Sequence, residues 1–114
     1  MNEVRRYLDP DEKRQALHAL IQRLLEGDGA ASQSQRRAAF DNAVSGEPLH
    51  VLIDKVANQA TRITDEDIIA VKASGVTEDQ IFELVVCAAV GQASRQYELA
   101  LRSVAEATAD WDGR

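Results

Sequence analysis

One cysteine in 114 residues excludes an intrachain disulfide, a Cys-x-x-Cys redox pair and any zinc site built from several thiolates. Prolines number two and glycines six, and no alternating apolar run lies between turn dipeptides as a strand would. Aromatics are 4% of the chain, so a core must be assembled mainly from Leu, Ile, Val and Ala. No segment approaches the roughly 20 apolar residues of a membrane span, and no N-terminal apolar run resembles a signal peptide. Cytoplasmic residence away from membranes is therefore the expectation. Basic residues are outnumbered, 13 against 19 acidic, for a net charge of −6. Phosphate binding needs concentrated Lys and Arg, and the Arg36-Arg37 pair is too short to supply it. No nucleic-acid partner is expected.

What is present is a 45% apolar content, ordinary for a globular chain and enough for a single core. The reading is one all-α domain over residues 1–114, with about five helices packed around a long apolar C-terminal helix. Asp9-Pro10-Asp11-Glu12 is a helix start, with Asp at the N-cap and Pro in the first turn. Leu17, Leu20, Ile21, Leu24 and Leu25 then share one stripe, stopped by Gly27-Asp28-Gly29. Ala30–Gln35 reads as a loop. A short helix is expected from about Ser34 to Val44, with Ala38, Ala39, Phe40 and Ala43 inward. A third begins near Pro48 and carries Leu49, Leu52, Ile53, Val56 and Ala60.

Thr64-Asp65-Glu66-Asp67 opens a fourth helix, its acidic residues complementing the positive helix end, and Ser74-Gly75 closes it. The trio lacks the alternating ligands and the glycine of a calcium loop, so no metal is expected there. Thr77-Glu78-Asp79-Gln80 has the spacing of a capping box, in which Thr and Gln satisfy each other's backbone donors. The apolar run Ile81 to Gly91 that follows carries one charge, Glu83. A helix apolar all round is one that other elements surround; a buried strand over 81–86 is the other reading. Beyond the run the pattern narrows to Leu99, Leu101 and Val104. Past Thr108 the periodicity fades, and Trp111 reads as the cover of a core edge or as a subunit contact.

The polar candidates are few. His50 and Asp54 stand at i and i+4 and could form a hydrogen-bonded acid–base pair, with Lys55 and Asn58 close by. Arg95, with Gln92 and Gln96, reads as a binding residue in a polar pocket, as an intersubunit contact, or as the partner of a carboxylate such as Asp54 or Glu83, and Asn58 is the other binding candidate. Neither His18 nor His50 has a second His at i+4 to make a metal pair. No cofactor is implied by any spacing. Cys87 lies inside the apolar run, where burial raises a thiol's pKa and leaves it inert.

Residues 63–106 resemble the carboxymuconolactone decarboxylase family, whose members include alkyl hydroperoxidase D-like proteins. The family's phrase "A-x-G-hydrophobic-T/S-x-E/D-x-I-x-E" stands here as Ala73, Gly75, Val76, Thr77, Asp79, Ile81 and Glu83. A small-residue helix follows, here Val85 to Gly91. The resemblance implies an alkyl hydroperoxidase D-like orthogonal helical bundle that assembles as a homo-oligomer. It does not bring the family's thiol chemistry. The Cys-x-x-Cys pair of the peroxidase-type members would fall near 48–62, and that stretch has no cysteine. The expectation is a divergent helical oligomer without thiol peroxidase activity, a binding or accessory protein with room for a small-molecule ligand. The alternatives are a decarboxylase- or isomerase-type enzyme using His50 and Asp54, and an unrelated helical protein-interaction module.

Overall fold

The computed structural model describes residues 10–112. Among them are five α-helices and no strand: α1 (Pro10–Glu26), α2 (Gln33–Phe40), α3 (Leu49–Asn58), α4 (Asp65–Ala73) and α5 (Glu78–Asp112), with a single 3-10 turn at Ala60–Arg62 between α3 and α4. The all-helical reading holds, and residues 81–86 belong to α5 rather than to a strand. Helix starts are set locally. Thr64 Oγ1 accepts from the Asp67 N–H at 3.3 Å while Asp67 Oδ2 accepts from the Thr64 N–H at 2.9 Å. Thr77 and Gln80 make the same reciprocal pair, at 3.2 and 2.9 Å. Each box satisfies donors that the first turn leaves without helical partners.

Four boundaries differ from the sequence reading. A third capping box, Ser32 with Gln35, starts α2 at Gln33 inside the expected loop. That helix stops at Phe40, well short of Val44, so Ala43 faces solvent. Helix α3 ends at Asn58, which leaves Ala60 exposed in the 3-10 turn instead of on the α3 stripe. At the other end of the chain, α5 continues through the expected tail to Asp112. Trp111 stands in its last turn, but its side chain lies outside the described residues.

Packing is one-sided around α5. Leu84, Cys87 and Ala88 join Leu25, Ala31, Ala39 and Ile53 in one cluster, while Ile81 joins Leu52 and Val71 in a second. Leu49 and Val56 of α3 touch both. Helices α2 and α3 supply most of the contacts with α5. The expectation that other elements surround the apolar run is corrected here: only one face of it is covered, and Phe82 remains exposed on the opposite side. Leu20 of the α1 stripe is exposed as well, and so are Leu99 and Val104 of the α5 stripe.

A helix of 35 residues is about 52 Å long at 1.5 Å per residue, and it sets the long dimension of a molecule measuring 58 × 30 × 22 Å. The radius of gyration is 17.7 Å, where a compact chain of this length comes to about 13 Å. The excess comes from the C-terminal half of α5. After Gly91 no described residue of that helix is buried.

Candidate functional site

The polar residues picked from sequence do not converge as an acid–base pair. Asp54 Oδ1 accepts from Asn58 Nδ2 at 2.9 Å and from Asn42 Nδ2 at 3.2 Å. His50 places Nδ1 3.0 Å from the Val44 carbonyl oxygen. A carbonyl only accepts, so Nδ1 carries the proton there. The two side chains at i and i+4 thus take separate partners, and Asn58 is the one of the expected group that reaches Asp54. Hydrogen bonds from Asn42, then Asn58, hold the Asp54 carboxyl below its ordinary pKa; burial opposes them, and the neighbouring His50 adds a lesser lowering. Asn42 was not visible from sequence. It adopts a φ of 52°, which Asn tolerates better than most residues, and its buried Oδ1 has no hydrogen-bond partner.

Lys55, expected near this group, is committed elsewhere. Its Nζ meets Asp67 Oδ2 at 2.8 Å and Oδ1 at 3.0 Å, tying α3 to the first turn of α4. The Asp67 carboxyl sits below the ordinary value, first because of the Lys55 hydrogen bond and next because of the Thr64 N–H. A carboxyl depressed on folding stabilises the fold above its unfolded pKa and loses that contribution as pH falls through the folded one. Acid titration of the melting temperature should therefore show a loss that sets in below about pH 4. Asp67→Asn should make the melting temperature less sensitive to pH over that range.

Arg95 corrects a second expectation. It does not pair with Asp54 or Glu83. Its Nη1 donates to the Phe40 carbonyl oxygen at 2.7 Å and its Nη2 to Gln92 Oε1 at 2.9 Å. Phe40 is the last residue of α2, so the guanidinium satisfies a carbonyl that the helix end leaves open.

The most buried polar arrangement lies elsewhere, at the Gly27–Ser32 connector between α1 and α2. Arg36, the one buried charged residue among those described, donates from Nε to Ala31 O at 3.1 Å and from Nη1 to Leu24 O at 2.9 Å. Glu83, one turn into α5, accepts from the Ala30 and Ala31 N–H groups at 2.7 and 3.3 Å on Oε2. Gln80 closes the same segment by donating from Nε2 to Ala30 O at 3.3 Å. Gly29 lies tight between them: a Cβ there would stand 2.0 Å from Glu83 Oε1 and 3.6 Å from Arg36 Cζ, so the Glu83 carboxylate would have to shift.

Arg36 and Glu83 are the residues that sequence reading missed. Two signals were present. Arg36 precedes Ala39 and Phe40 by three and four residues, which puts it on the inward face of α2. Glu83 is the lone charge in the apolar run, and a charge in such a place needs a partner.

Cys87 follows Glu83 by one turn and is fully buried. Burial pushes its thiol up; Arg36 works against that shift and Glu83 adds to it. Among the described residues no group of three or more His, Cys, Asp or Glu side chains is placed to hold a metal ion, and no helix is long and apolar enough to cross a membrane. No family model, no curated protein and no solved structure matches this chain.

Proposed function

We propose that this chain is a divergent carboxymuconolactone decarboxylase-like helical protein that performs no thiol chemistry and serves as a binding or accessory protein. The observation that carries the reading is the state of Cys87. The thiol has no solvent-exposed surface and is shifted away from the thiolate, while the charged groups nearest it hold backbone atoms of the connector. A peroxidatic cysteine needs access and a lowered pKa, and this one has neither. The short helix α4, the Gly75 turn and the capped helix α5 stand in the order that the resemblance to the family requires. Glu83 occupies the position of the phrase's last carboxylate, and here it holds the connector through Ala30 and Ala31.

The test is thiol accessibility together with turnover. In the native protein Cys87 should react with an aromatic disulfide reagent only as fast as the domain unfolds, and at once in denaturant. Hydroperoxide should not be consumed in the presence of a dithiol. Rapid native labelling, together with hydroperoxide turnover that Cys87→Ser abolishes, would sink the proposal.

A further inference from the structure

The face of α5 that points away from the core is apolar from Phe82 to Val104. Phe82, Val86, Ala89, Ala93, Tyr97, Ala100 and Val104 follow one another at intervals of four, three, four, four, three and four. At 100° per residue these positions stay within one narrow stripe, opposite Leu84, Cys87, Ala88 and Gly91, which are buried. Phe82 is 71% exposed, Tyr97 43% and Val104 63%; Ala89, Ala93 and Ala100 are exposed too, and Val86 is half-covered. No charge interrupts the stripe. On the core side, by contrast, the same helix turns polar once it leaves the body, with Arg95, Glu98 and Arg102. The outer stripe thus continues where the subunit has no core left to cover it.

We propose that this face is a seam between two copies of the chain, paired antiparallel about a twofold axis at Ala93. The reason is the order of the intervals, which reads the same from either end. A twofold axis at Ala93 therefore sets every stripe residue opposite another stripe residue. Phe82 meets Val104, Val86 meets Ala100, and Ala89 meets Tyr97. Each larger side chain faces a smaller one, which is how facing layers interdigitate. Beside the axis, Leu17 of α1 with Val90, Ala93, Ser94 and Tyr97 lines a recess of about 360 Å³, where the second copy's aromatic ring can lodge.

Electrostatics select the direction. The antiparallel register holds the two acidic first turns, Glu78 and Asp79 of each copy, at opposite ends of the seam and sets the two helix dipoles head to tail. A parallel pairing would stack the two acidic turns together. The area suits a weak, concentration-dependent dimer. In this register Glu78 to Thr108 overlaps itself over about 45 Å, and a strip about 10 Å wide gives roughly 900 Å² from both copies in plan. That lies close to the ~1,000 Å² lower bound of a specific interface. The seam rests on α5 with Leu17 of α1 at its edge and stands apart from the reading of Cys87.

Sedimentation of the full chain between about 1 and 100 μM should show a dimer, that range suiting an interface near the lower size limit. Ala93→Glu sets two like charges face to face on the axis and should weaken dimerisation by about 100-fold. Its helix content should not change, because Ala93 is exposed in the single subunit. Ala93→Cys reports the register. Helix axes about 9–10 Å apart, with Cα atoms about 2.3 Å off each axis, leave the two position-93 Cα atoms about 4.4–5.4 Å apart, which is disulfide range. Ala93→Cys should therefore oxidise to a linked dimer. Ala89→Cys should not, since its counterpart is Tyr97. A monomer throughout, an assembly indifferent to Ala93→Glu, or equal linking by Ala89→Cys overturns the seam.

Discussion

Gly91→Val is expected to destabilise the domain by about 3 kcal/mol, and Gly91→Ala by about 2 kcal/mol. On helix propensity alone the alanine variant should gain about 1 kcal/mol, since glycine is a poor residue inside a helix. Tertiary contact reverses the sign. A Cβ at Gly91 would stand 1.9 Å from the Phe40 carbonyl oxygen, 2.7 Å from its carbon and 2.9 Å from its Cα. These are backbone atoms at the end of α2, so no rotamer change relieves the clash. The same carbonyl accepts from Arg95, and pushing it away also costs that hydrogen bond. At several degrees per kcal/mol the alanine variant should melt about 10 °C lower. Thermal unfolding followed by circular dichroism decides the matter, and a melting temperature for Gly91→Ala at or above the parent would show that α2 and α5 do not approach so closely.

Arg36→Ala should cost about 3 kcal/mol in urea unfolding, while Arg37→Ala next to it should stay within about 0.5 kcal/mol. Removing the guanidinium leaves the Leu24 and Ala31 carbonyls unpaired beneath a buried side chain, and it strips Glu83 of a nearby positive charge. Arg37 is exposed and has no such duty. Arg36→Lys should recover only part of the loss, because a single ammonium on a flexible stem cannot span both carbonyls as the planar fork does. Equal losses for Arg36→Ala and Arg37→Ala would show that Arg36 does not hold the α1–α2 connector. Because the connector bonds both to α2 and to α5, the Arg36 variant should also speed the exchange of the Ala30 and Ala31 amides with solvent.

These two experiments mark the boundary between what local pattern carries and what it does not. The starts of α4 and α5 were legible because capping is a contact between residues three apart, written in Thr64-Asp67 and Thr77-Gln80. The apolar stripes of α1 and α3 were legible for the same reason, since their period is the helix's own. The fate of individual polar residues was not. Arg36 and Arg37 are the same residue type side by side; spacing from Ala39 and Phe40 turns Arg36 inward, but only the packing of α2 against α1 and α5 gives it carbonyls to hold and leaves Arg37 in water. His50 and Asp54 have the right spacing for a pair, yet the chain near Val44 and Asn42 comes within reach and takes both. Arg95 was expected to find a carboxylate and found the open carbonyl at the end of α2.

The amino-acid sequence by itself determined that this protein is helical, where most of its helices begin, and that its one thiol sits in apolar surroundings, because these follow from interactions within a few residues. Only the tertiary structure decided that Gly91 carries no side chain because α2 lies against it, that Arg36 and Glu83 hold the α1–α2 connector, and that α5 is covered on one face alone. Those outcomes depend on which distant segments meet, and local spacing does not encode that.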